Sequence, residues 1–427
     1  MIKNDIMKKR VLTLSFAFLF FVNAYSQNFQ SVYNLYINED YFRLKNAIPS
    51  AKFSKTWESA LCNAFMKSVF SRFSESNILF DKVLKESGKE IHDSIKAKIY
   101  ECKVVNHINL FEYKEAFASS KILKDKYIKY LDDEEKENLS DEEGLWNAVN
   151  DAKPQTIVKT GDTKIQMKKD IAGLWNIPVS INKEKHDFIF DTGANFSVLI
   201  ESLAKSRGMK MFDAKVKVGT ASDIKVDAKI SVCDELVIDN IVLKNVVFLV
   251  LPDESLDFGI YKIYGILGNP VFRAFEEIRI NKDNMLTIPK ILSVNNSNNL
   301  SFSGFTPVLL MTNNYDTMNY TFDTGAMVSM FYKPYLDKYS KDITDKYELV
   351  DITVGGAGGR KTVKGYNIKG VTLSTGQSLG TFSNVRVLAE YLKKKESHFY
   401  GNLGQDYISQ FGEMIVNFKD SFVQFNK

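Results

Sequence analysis

The sequence contains the segment Phe-Asp-Thr-Gly-Ala twice, and each copy carries an aspartate that could do chemistry. The first copy lies in "FIFDTGANFSVLI" at 188–200 and the second in "YTFDTGAMVSMFY" at 320–332. Each aspartate, Asp191 or Asp323, follows an apolar run, and each copy has a serine at the same distance beyond its alanine. Because such a repeat is improbable by chance in 427 residues, we infer an internal duplication whose two copies serve one reaction.

Two buried carboxylates can perform acid–base chemistry when they lie close together. A lone aspartate at the floor of an apolar cleft would be protonated and inert, because burying an unpaired charge is costly. Two such groups brought together cannot both ionise, so they share one proton. One carboxylate can then act as general base on a bound water while its protonated partner donates to a carbonyl oxygen. Hydrolysis of a peptide bond uses this arrangement without a metal ion or a covalent intermediate.

The elements around the aspartates must turn sharply and bring the two loops together. Gly193 and Gly325 supply the backbone freedom for each turn and leave room beside the carboxylate for water or substrate. The following segments repeat as well. "YGILGNPVFRAFEEIRIN" at 264–281 aligns without a gap with "YGNLGQDYISQFGEMIVN" at 400–417. The two aspartate loops therefore belong to two related halves of the chain.

The region that contains both loops is predicted to be all-β. From Ile157 onward β-branched residues alternate with polar ones, and glycines interrupt the pattern every ten to fifteen residues. The repeats divide this region into a first lobe at 155–290 and a second lobe at 305–427. The Asn- and Ser-rich stretch at 291–304 has the composition of a linker. The predicted fold class is multidomain, with an N-terminal all-α helical region followed by an all-β two-lobed fold.

The two lobes resemble a retropepsin-type aspartic protease in a single-chain, two-lobed form. The resemblance covers about residues 155–427 and rests on three elements that each occur twice: the aspartate loop, a glycine-containing hairpin tip, and an apolar-Gly element. It implies that Asp191 and Asp323 are the catalytic pair. It also implies that Thr192 and Thr324 hydrogen-bond across the lobes. The substrate would be a peptide or a protein, and neither a metal ion nor a cofactor is implied.

The same resemblance gives roles to the other two elements. The apolar-Gly element, "ILG" at 266–268 and "NLG" at 402–404, would back each aspartate loop. The hairpin tips, "VGTAS" at 218–222 and "VGGAG" at 354–358, would close over substrate as flaps. The implied backing residues are Leu267, Gly268, Leu403 and Gly404. The implied flap residues are Gly219, Thr220, Gly355, Gly356, Gly358 and Gly359.

The chain departs from this family pattern in three places. The first hairpin tip, "GTASD" at 219–223, is poorer in glycine than the second, which predicts asymmetric closure. Asn402 replaces an apolar residue, which predicts looser packing beneath the second loop. Both loops have alanine, Ala194 and Ala326, where pepsin-like enzymes usually have Ser or Thr. This last departure favours the retropepsin side of the superfamily.

Two alternatives to catalysis are consistent with parts of the pattern. Asp-Thr-Gly could be only a tight turn, although that does not explain two copies within matching repeats. The chain could also be a catalytically inactive pseudo-protease that binds peptides or acts as a scaffold in the cell envelope. Loss of either aspartate would indicate the inactive form, and the sequence retains both.

Residues 27–150 are predicted to be helical. Glycine and proline are nearly absent, and apolar residues recur at helical spacing, as at Phe65, Val69, Phe70 and Phe73. The segments 71–86 and 109–124 each place a polar turn before an amphipathic helix. That arrangement is loosely similar to tetratricopeptide-type hairpins, and a plain helical bundle is the alternative. Such a region could bind a protein partner, act as a substrate adaptor, or be a removable prosegment.

Residues 1–26 have the features of a secretory signal peptide. Basic residues at 8–10 precede an apolar run at 11–22, and small residues occupy positions 24 and 26. We therefore expect an exported protein, periplasmic or secreted. An uncleaved membrane anchor is the alternative, but the run is short for a membrane span.

Composition excludes several other classes of function. The net charge is +4 with no basic stripe, so we expect no nucleic-acid partner. Cys62, Cys102 and Cys233 are scattered, and so are the four histidines, so neither a disulfide framework nor a metal-ligand spacing is present. Because both aspartates lie in one chain, we expect a monomer that needs no partner chain to complete its site.

Overall fold

The protein has a helical region followed by a β-rich region with several sheets. The computed structural model describes residues 28–219, 225–356, 359–393 and 397–427. The predicted signal peptide at 1–26 lies outside these ranges, as do Thr220 and Gly358. Within them, no helix is both long enough and apolar enough to cross a membrane.

The helical region packs around aromatic side chains. Its α-helices are α1 (Phe29–Ile37), α2 (Tyr41–Ala47), α3 (Thr56–Val69), α4 (Phe73–Ser87), α5 (Asp93–Asn109), α6 (Tyr113–Ile122) and α7 (Asp133–Val149). Helices α3 and α4 meet through Phe65 and Phe80, whose ring centroids lie 5.0 Å apart. Helix α7 begins with a capping box, in which Asp132 and Glu135 each accept a hydrogen bond from the other's backbone N–H, at 2.9 and 2.8 Å.

The first part of the β-rich region contains a curled sheet and strands that belong to another sheet. Its elements are β1 (Thr156–Lys159), β2 (Thr163–Gln166), β3 (Lys168–Lys169), β4 (Trp175–Ile181), β5 (Glu184–Phe190), β6 (Ser197–Ile200), α8 (Glu201–Ser206), β7 (Lys210–Gly219), β8 (Lys225–Ile238), β9 (Ile241–Leu251), β10 (Gly265–Leu267), α9 (Asn269–Phe275), β11 (Glu277–Asn281) and β12 (Met285–Ile288). The strand order in the curled sheet is β1-β9-β6-β10-β5-β4-β8-β7, with β3 beside β4. Strand β8 also pairs with β9, which curls the sheet. Strands β2, β11 and β12 belong to the other sheet.

The second part contains another large sheet and strands that belong to the sheet shared by both parts. Its elements are β13 (Leu300–Ser303), β14 (Thr306–Asn313), β15 (Asp316–Phe322), β16 (Met330–Phe331), α10 (Lys333–Lys338), α11 (Ser340–Thr344), β17 (Val350–Gly356), β18 (Gly359–Ile368), β19 (Val371–Thr375), β20 (Ser378–Phe382), β21 (Val385–Leu388), β22 (Gly401–Leu403), α12 (Gln405–Ile408), β23 (Glu413–Asn417) and β24 (Phe422–Asn426). The strand order in the large sheet is β17-β18-β21-β16-β22-β15-β14-β19-β20, with β13 beside β14. Strands β23 and β24 belong to the shared sheet.

The two sheets share one pairing pattern around the strands that lead to the aspartates. Strand β5 runs parallel to β10, and β10 pairs antiparallel with β6. In the second sheet, β15 runs parallel to β22, and β22 pairs antiparallel with β16. Each aspartate therefore follows an interior strand whose parallel neighbour leads into a Leu-Gly pair.

A third sheet joins strands from both halves of the β-rich region. Its order is β2-β12-β11-β23-β24, and the pairing of β11 with β23 crosses between the halves. Ile278 and Val416, which are partners in this pairing, are completely buried. The two halves are thus connected by backbone hydrogen bonds as well as by side-chain packing.

Part of the segment predicted as a linker belongs to a sheet. Residues Leu300–Ser303 form β13, which pairs with β14, and all of its side chains are buried. Leu300 and Phe302 favour this burial, because removing their apolar side chains from water lowers the free energy of the folded chain. The polar residues that precede β13 concealed this short apolar pattern in the sequence.

The helical and β-rich regions share buried apolar contacts. The ring centroid of Trp146 in α7 lies 5.8 Å from that of Phe196, in the loop that carries Asp191. Trp146 is only 1% exposed. A second cluster joins helical residues to β14 and to the segment before β22; its buried members are Tyr41, Phe42, Val69, Phe70, Val308 and Phe399. The helices are therefore packed onto the β-rich region through a common core.

Replacing Trp146 with alanine should reduce the free energy of unfolding by about 3–5 kcal/mol, because it leaves a cavity between α7 and the first aspartate loop. Chemical denaturation of the full chain would measure this loss. Tyr315→Ala is the control, since Tyr315 is 100% exposed and its removal should change stability by less than about 0.5 kcal/mol. Equal losses in the two variants would contradict a shared core.

Candidate active site

Each candidate catalytic aspartate directly follows an interior strand. The N–H of Asp191 donates to the carbonyl of Leu267 at 3.3 Å, and the N–H of Asp323 donates to the carbonyl of Leu403 at 2.9 Å. These bonds extend the parallel pairing of β5 with β10 and of β15 with β22 by one residue. Both aspartates are therefore held by backbone hydrogen bonds before their loops turn away.

The two loops face each other, and each glycine lies against the opposite aspartate. A Cβ atom built on Gly193 would lie 2.5 Å from the Cγ of Asp323. A Cβ atom built on Gly325 would lie 2.3 Å from the Cγ of Asp191. Both distances are well inside van der Waals contact, so glycine is required for this approach. The reciprocal contacts bring the two carboxylates together.

Each threonine hydrogen-bonds to the opposite loop. The N–H of Thr192 donates to Oγ1 of Thr324 at 2.9 Å, and the N–H of Thr324 donates to Oγ1 of Thr192 at 3.0 Å. Oγ1 of Thr324 also donates to the carbonyl of Phe190 at 2.9 Å. Both threonines are buried, so these bonds are shielded from competing water and fix the loops relative to each other.

Backbone N–H groups stabilise negative charge on both carboxylates. Oδ1 of Asp191 accepts from the N–H groups of Gly193 at 2.8 Å and Ala194 at 3.1 Å, and Oδ1 of Asp323 accepts from the N–H of Gly325 at 2.7 Å. Burial nevertheless raises the pKa of Asp191 well above that of an ordinary aspartate, and the neighbouring Asp323 raises it further. Acid–base catalysis by two carboxylates requires that one of them keeps its proton while the other is ionised. The raised pKa of Asp191 is consistent with that state.

The backing residues lie directly behind the aspartate loops and leave no space there. They are Leu267, Gly268, Leu403 and Gly404. A Cβ atom on Gly268 would lie 2.4 Å from the carbonyl carbon of Phe196, and one on Gly404 would lie 2.5 Å from the carbonyl oxygen of Ala326. The backbone of each loop therefore packs directly on its backing glycine.

Two serines to which the sequence analysis gave no role hold the loops to these glycines. Oγ of Ser197 accepts from the N–H of Gly268 at 3.0 Å, and Oγ of Ser329 accepts from the N–H of Gly404 at 2.9 Å. Both serines are completely buried. Their recurrence at the same place in both repeats was the sequence signal that could have identified this role.

Asn402 does not leave a loosely packed gap, in contrast to the sequence-based expectation. Its Oδ1 accepts a hydrogen bond from Oγ1 of Thr321 at 2.7 Å, and its Nδ2 lies 3.4 Å from Oδ2 of Asp323. Thr321 is itself buried. A hydrogen-bonded polar pair thus replaces apolar packing beneath the second loop.

The predicted flap segments are both hairpins. Strands β7 and β8 pair up to Gly219, which lies opposite Lys225. Strands β17 and β18 pair up to Gly356, which lies opposite Gly359. Gly355 is exposed next to this second tip.

The first hairpin packs against the helical region. Lys225 at the start of β8 forms an ion pair with Glu137 of α7, with 2.6 Å between Nζ and Oε1. Val216 of β7 is buried, and its Cγ1 lies 3.9 Å from a Cβ atom built on Gly144 of α7. Helix α7 therefore contacts the first hairpin along its length and near its tip.

Other candidate centres do not coincide with the two aspartates. Among the residues that the structure describes, no group of three or more His, Cys, Asp or Glu side chains could hold a metal ion. Cys62, Cys102 and Cys233 are buried free thiols. An open cavity of about 530 Å³ between α8, β8 and β9 is lined by charged residues of both signs, and neither aspartate contributes to it.

Comparison with known proteins relates part of the chain to aspartic proteases. Residues 177–271, which include the first aspartate loop and its backing element, match a family described as Aspartyl protease. This match supports a protease-like function, and no curated protein matches the chain.

Two solved structures are similar to parts of the chain. A retropepsin-like aspartic protease from Rickettsia conorii is 21% identical, with 32% of this chain and 93% of that one covered and a TM-score of 0.21. Conglutin gamma, a basic 7S globulin from lupine seeds, is 10% identical, with 63% and 95% covered and a TM-score of 0.41.

Proposed function

We propose that this chain is an aspartic endopeptidase in which Asp191 and Asp323 together activate water for peptide-bond hydrolysis. The observation that carries the proposal is the reciprocal contact of the two loops, in which Gly193 approaches one carboxylate and Gly325 the other. Two tandem lobes, at 155–290 and 305–427, would each contribute half of the site. The hydrogen bonds between Thr192 and Thr324 support this arrangement.

The mechanism needs one ionised and one protonated carboxylate. The ionised group removes a proton from a water molecule, whose oxygen attacks the carbonyl carbon of the peptide bond. The protonated group donates its proton to the carbonyl oxygen, which gives a tetrahedral intermediate. When this intermediate collapses, the amide nitrogen takes up a proton from one carboxyl group, the C–N bond breaks, and a hydroxyl of the intermediate returns its proton to the other carboxylate, which restores the singly protonated pair. The raised pKa of Asp191 supports the presence of the shared proton.

The direct test is cleavage of denatured casein, or of a peptide library, by the purified chain. A pepstatin-type inhibitor should block the cleavage, and a metal chelator should not. Specific activity should stay constant on dilution, as expected for a monomer that needs no partner chain. Binding of peptides without any cleavage would instead favour the inactive pseudo-protease, a peptide-binding or scaffold protein of the cell envelope.

The helical region is proposed to be a permanent part of the enzyme that could also bind a protein partner. Its buried contacts through Trp146 and Phe70 support a fixed position more than a removable prosegment. Resemblance to tetratricopeptide hairpins, and export to the periplasm or medium, remain proposals from the sequence.

We propose that the second hairpin is the more mobile flap, because α7 packs against the first. Gly355→Val should raise KM and lower kcat on the order of tenfold, since valine stiffens a strand that must move. Among the described residues, a Cβ atom at this position would meet only the Cγ of Arg360, at 3.5 Å, so the melting temperature should hardly change. Steady-state kinetics and thermal unfolding would measure both effects. Thr353→Val, at an exposed and already β-branched position, is the control and should keep wild-type kinetics.

A further inference from the structure

The residue two places before each aspartate and its partner on the parallel strand differ in polarity between the two halves. We describe these pairs as lying beneath the aspartates. Beneath Asp191, Ile189 of β5 is in register with Ile266 of β10. Beneath Asp323, the corresponding partners are Thr321 of β15 and Asn402 of β22. Both members of an apolar pair are therefore replaced by polar residues in one half only, and the two polar residues hydrogen-bond to each other. The two halves of the site are therefore asymmetric at this pair of positions.

The geometry directs the Asn402 amide at Asp323. Oγ1 of Thr321 donates to Oδ1 of Asn402 at 2.7 Å, which turns Nδ2 toward Oδ2 of Asp323 at 3.4 Å. The other oxygen of Asp323, Oδ1, accepts from the N–H of Gly325 at 2.7 Å. Each oxygen of this carboxylate thus faces an N–H donor. Hydrogen bonds from N–H donors to a carboxylate are made to its ionised form.

The hydrogen bonds at Asp191 are arranged differently. The N–H groups of Gly193 and Ala194 both donate to Oδ1, at 2.8 and 3.1 Å. In the described part of the chain, no N–H donor reaches Oδ2 of Asp191 within hydrogen-bond distance. That oxygen can therefore carry a proton without displacing a donor, and the raised pKa of Asp191 agrees with this placement.

We propose that Asn402 is a positioning residue that holds the negative charge on Asp323 and thereby leaves the shared proton on Asp191. On the proposed protease function, on which this inference rests, Asp323 is then the general base that activates water. Asp191 is the general acid that protonates the carbonyl oxygen of the substrate.

The other charged groups near Asp323 do not account for this asymmetry. Asp191 faces it from the opposite loop and disfavours its charge. Asp406 of α12 accepts hydrogen bonds from the N–H and hydroxyl of Ser329, and a negative charge there would disfavour rather than favour charge on Asp323. Arg386 of β21 and Asn402 of β22 are separated by strand β16, in which Met330 is in register with both. The side chain of Arg386 is exposed, so water and salt screen its charge.

The test replaces Asn402 by leucine, which has a similar shape and no donor. The acid limb of the pH–activity profile reports the first ionisation of the aspartate pair, and it should move upward by about one pH unit. The alkaline limb reports the second ionisation of the pair, the loss of the proton from Asp191, so it should stay in place. The active pH range should therefore become narrower from the acid side only.

The double variant Thr321→Ile/Asn402→Ile protects this test against misfolding. It recreates beneath Asp323 the apolar pair that the chain already has beneath Asp191, so it should fold and show the same shift of the acid limb. Thr321→Ser keeps the orienting hydroxyl and should therefore leave the acid limb at its wild-type position, whatever the change in rate. Ile266→Leu controls for altered packing beneath a loop and should move neither limb. Lower activity with both limbs unchanged, or a downward shift of the acid limb, would overturn the proposal.

A readout without turnover separates this proposal from the proposed function. Carboxyl signals of the 13C-labelled aspartates can be titrated by NMR, with assignments from Asp191→Asn and Asp323→Asn. The midpoint of the first titration step of the pair should rise by about one pH unit in Asn402→Leu. If the wild type cleaves no peptide but this shift occurs, the protease function fails and the placement of the proton stands. If the wild type cleaves peptides and the midpoint is unchanged, the role of Asn402 fails alone.

Discussion

Asp191→Asn and Asp323→Asn should each reduce the rate of peptide cleavage by at least about 10³-fold, because neither variant retains a pair that can share a proton. The effect should appear in kcat and should be the largest of any single substitution in the chain. The double variant should be hardly worse than either single one, since the carboxylates act as a unit. Rates with a fluorogenic peptide, measured at several pH values, would give these ratios.

The Asp191→Asn variant should also be more stable than the wild type at pH 7. The pKa of Asp191 is raised in the folded state, so this group favours folding in acid and progressively loses that contribution as the pH rises through its folded pKa. Asparagine removes the desolvated carboxyl and its repulsion from Asp323. Thermal unfolding at pH 4 and pH 7 should show a larger gain at the higher pH.

Asp187→Asn is the matched control for both measurements. Asp187 lies on β5, the same strand that leads to Asp191, but its side chain is exposed. Its replacement should leave the rate and the stability nearly unchanged. Substantial cleavage by either active-site variant would remove the aspartate pair from the mechanism, whereas loss of the folded state would show only a structural role.

Much of the candidate site could be predicted because its requirements are local and repeated. Each aspartate loop needs an apolar strand end, an aspartate and a glycine that has no room for a side chain. These residues fall within one short segment, and the segment occurs twice in the sequence. The helical and β-rich regions could also be distinguished, because helical spacing and alternation differ over long segments. Residues 177–271 of the predicted first lobe match the Aspartyl protease family.

Features that depend on distant partners could not be predicted from these patterns. The packing of Trp146 on Phe196 joins segments whose sequences carry no sign of each other. Strand β13 is short, and its burial depends on β14 and on the rest of the sheet. Asn402 was visible as a departure, but its partner Thr321 lies on another strand. An isolated polar residue therefore suggested loose packing, although its hydrogen bonds satisfy it.

Gly193→Ala and Gly325→Ala should each lower kcat by on the order of 10²-fold while every catalytic group is retained. A Cβ atom on Gly325 would lie 2.3 Å from the Cγ of Asp191, and one on Gly193 would lie 2.5 Å from the Cγ of Asp323. The atoms cannot occupy these positions together, so the opposite carboxylate must move. Because catalysis needs both carboxylates aligned with one water, a displacement of this size removes much of the rate.

The glycine variants should lose far more activity than stability. Overpacking at one contact should cost about 1–3 kcal/mol of unfolding free energy, so the proteins should remain folded. Gly161→Ala is the control, because a Cβ atom there would meet only Nδ2 of Asn240, at 3.8 Å, and its activity should equal that of the wild type. Kinetics and denaturation on the same samples would separate the two effects. Wild-type rates in Gly325→Ala would mean that the two loops lie farther apart during catalysis than their reciprocal contacts indicate. The two carboxylates would then have to act across a wider gap filled by water.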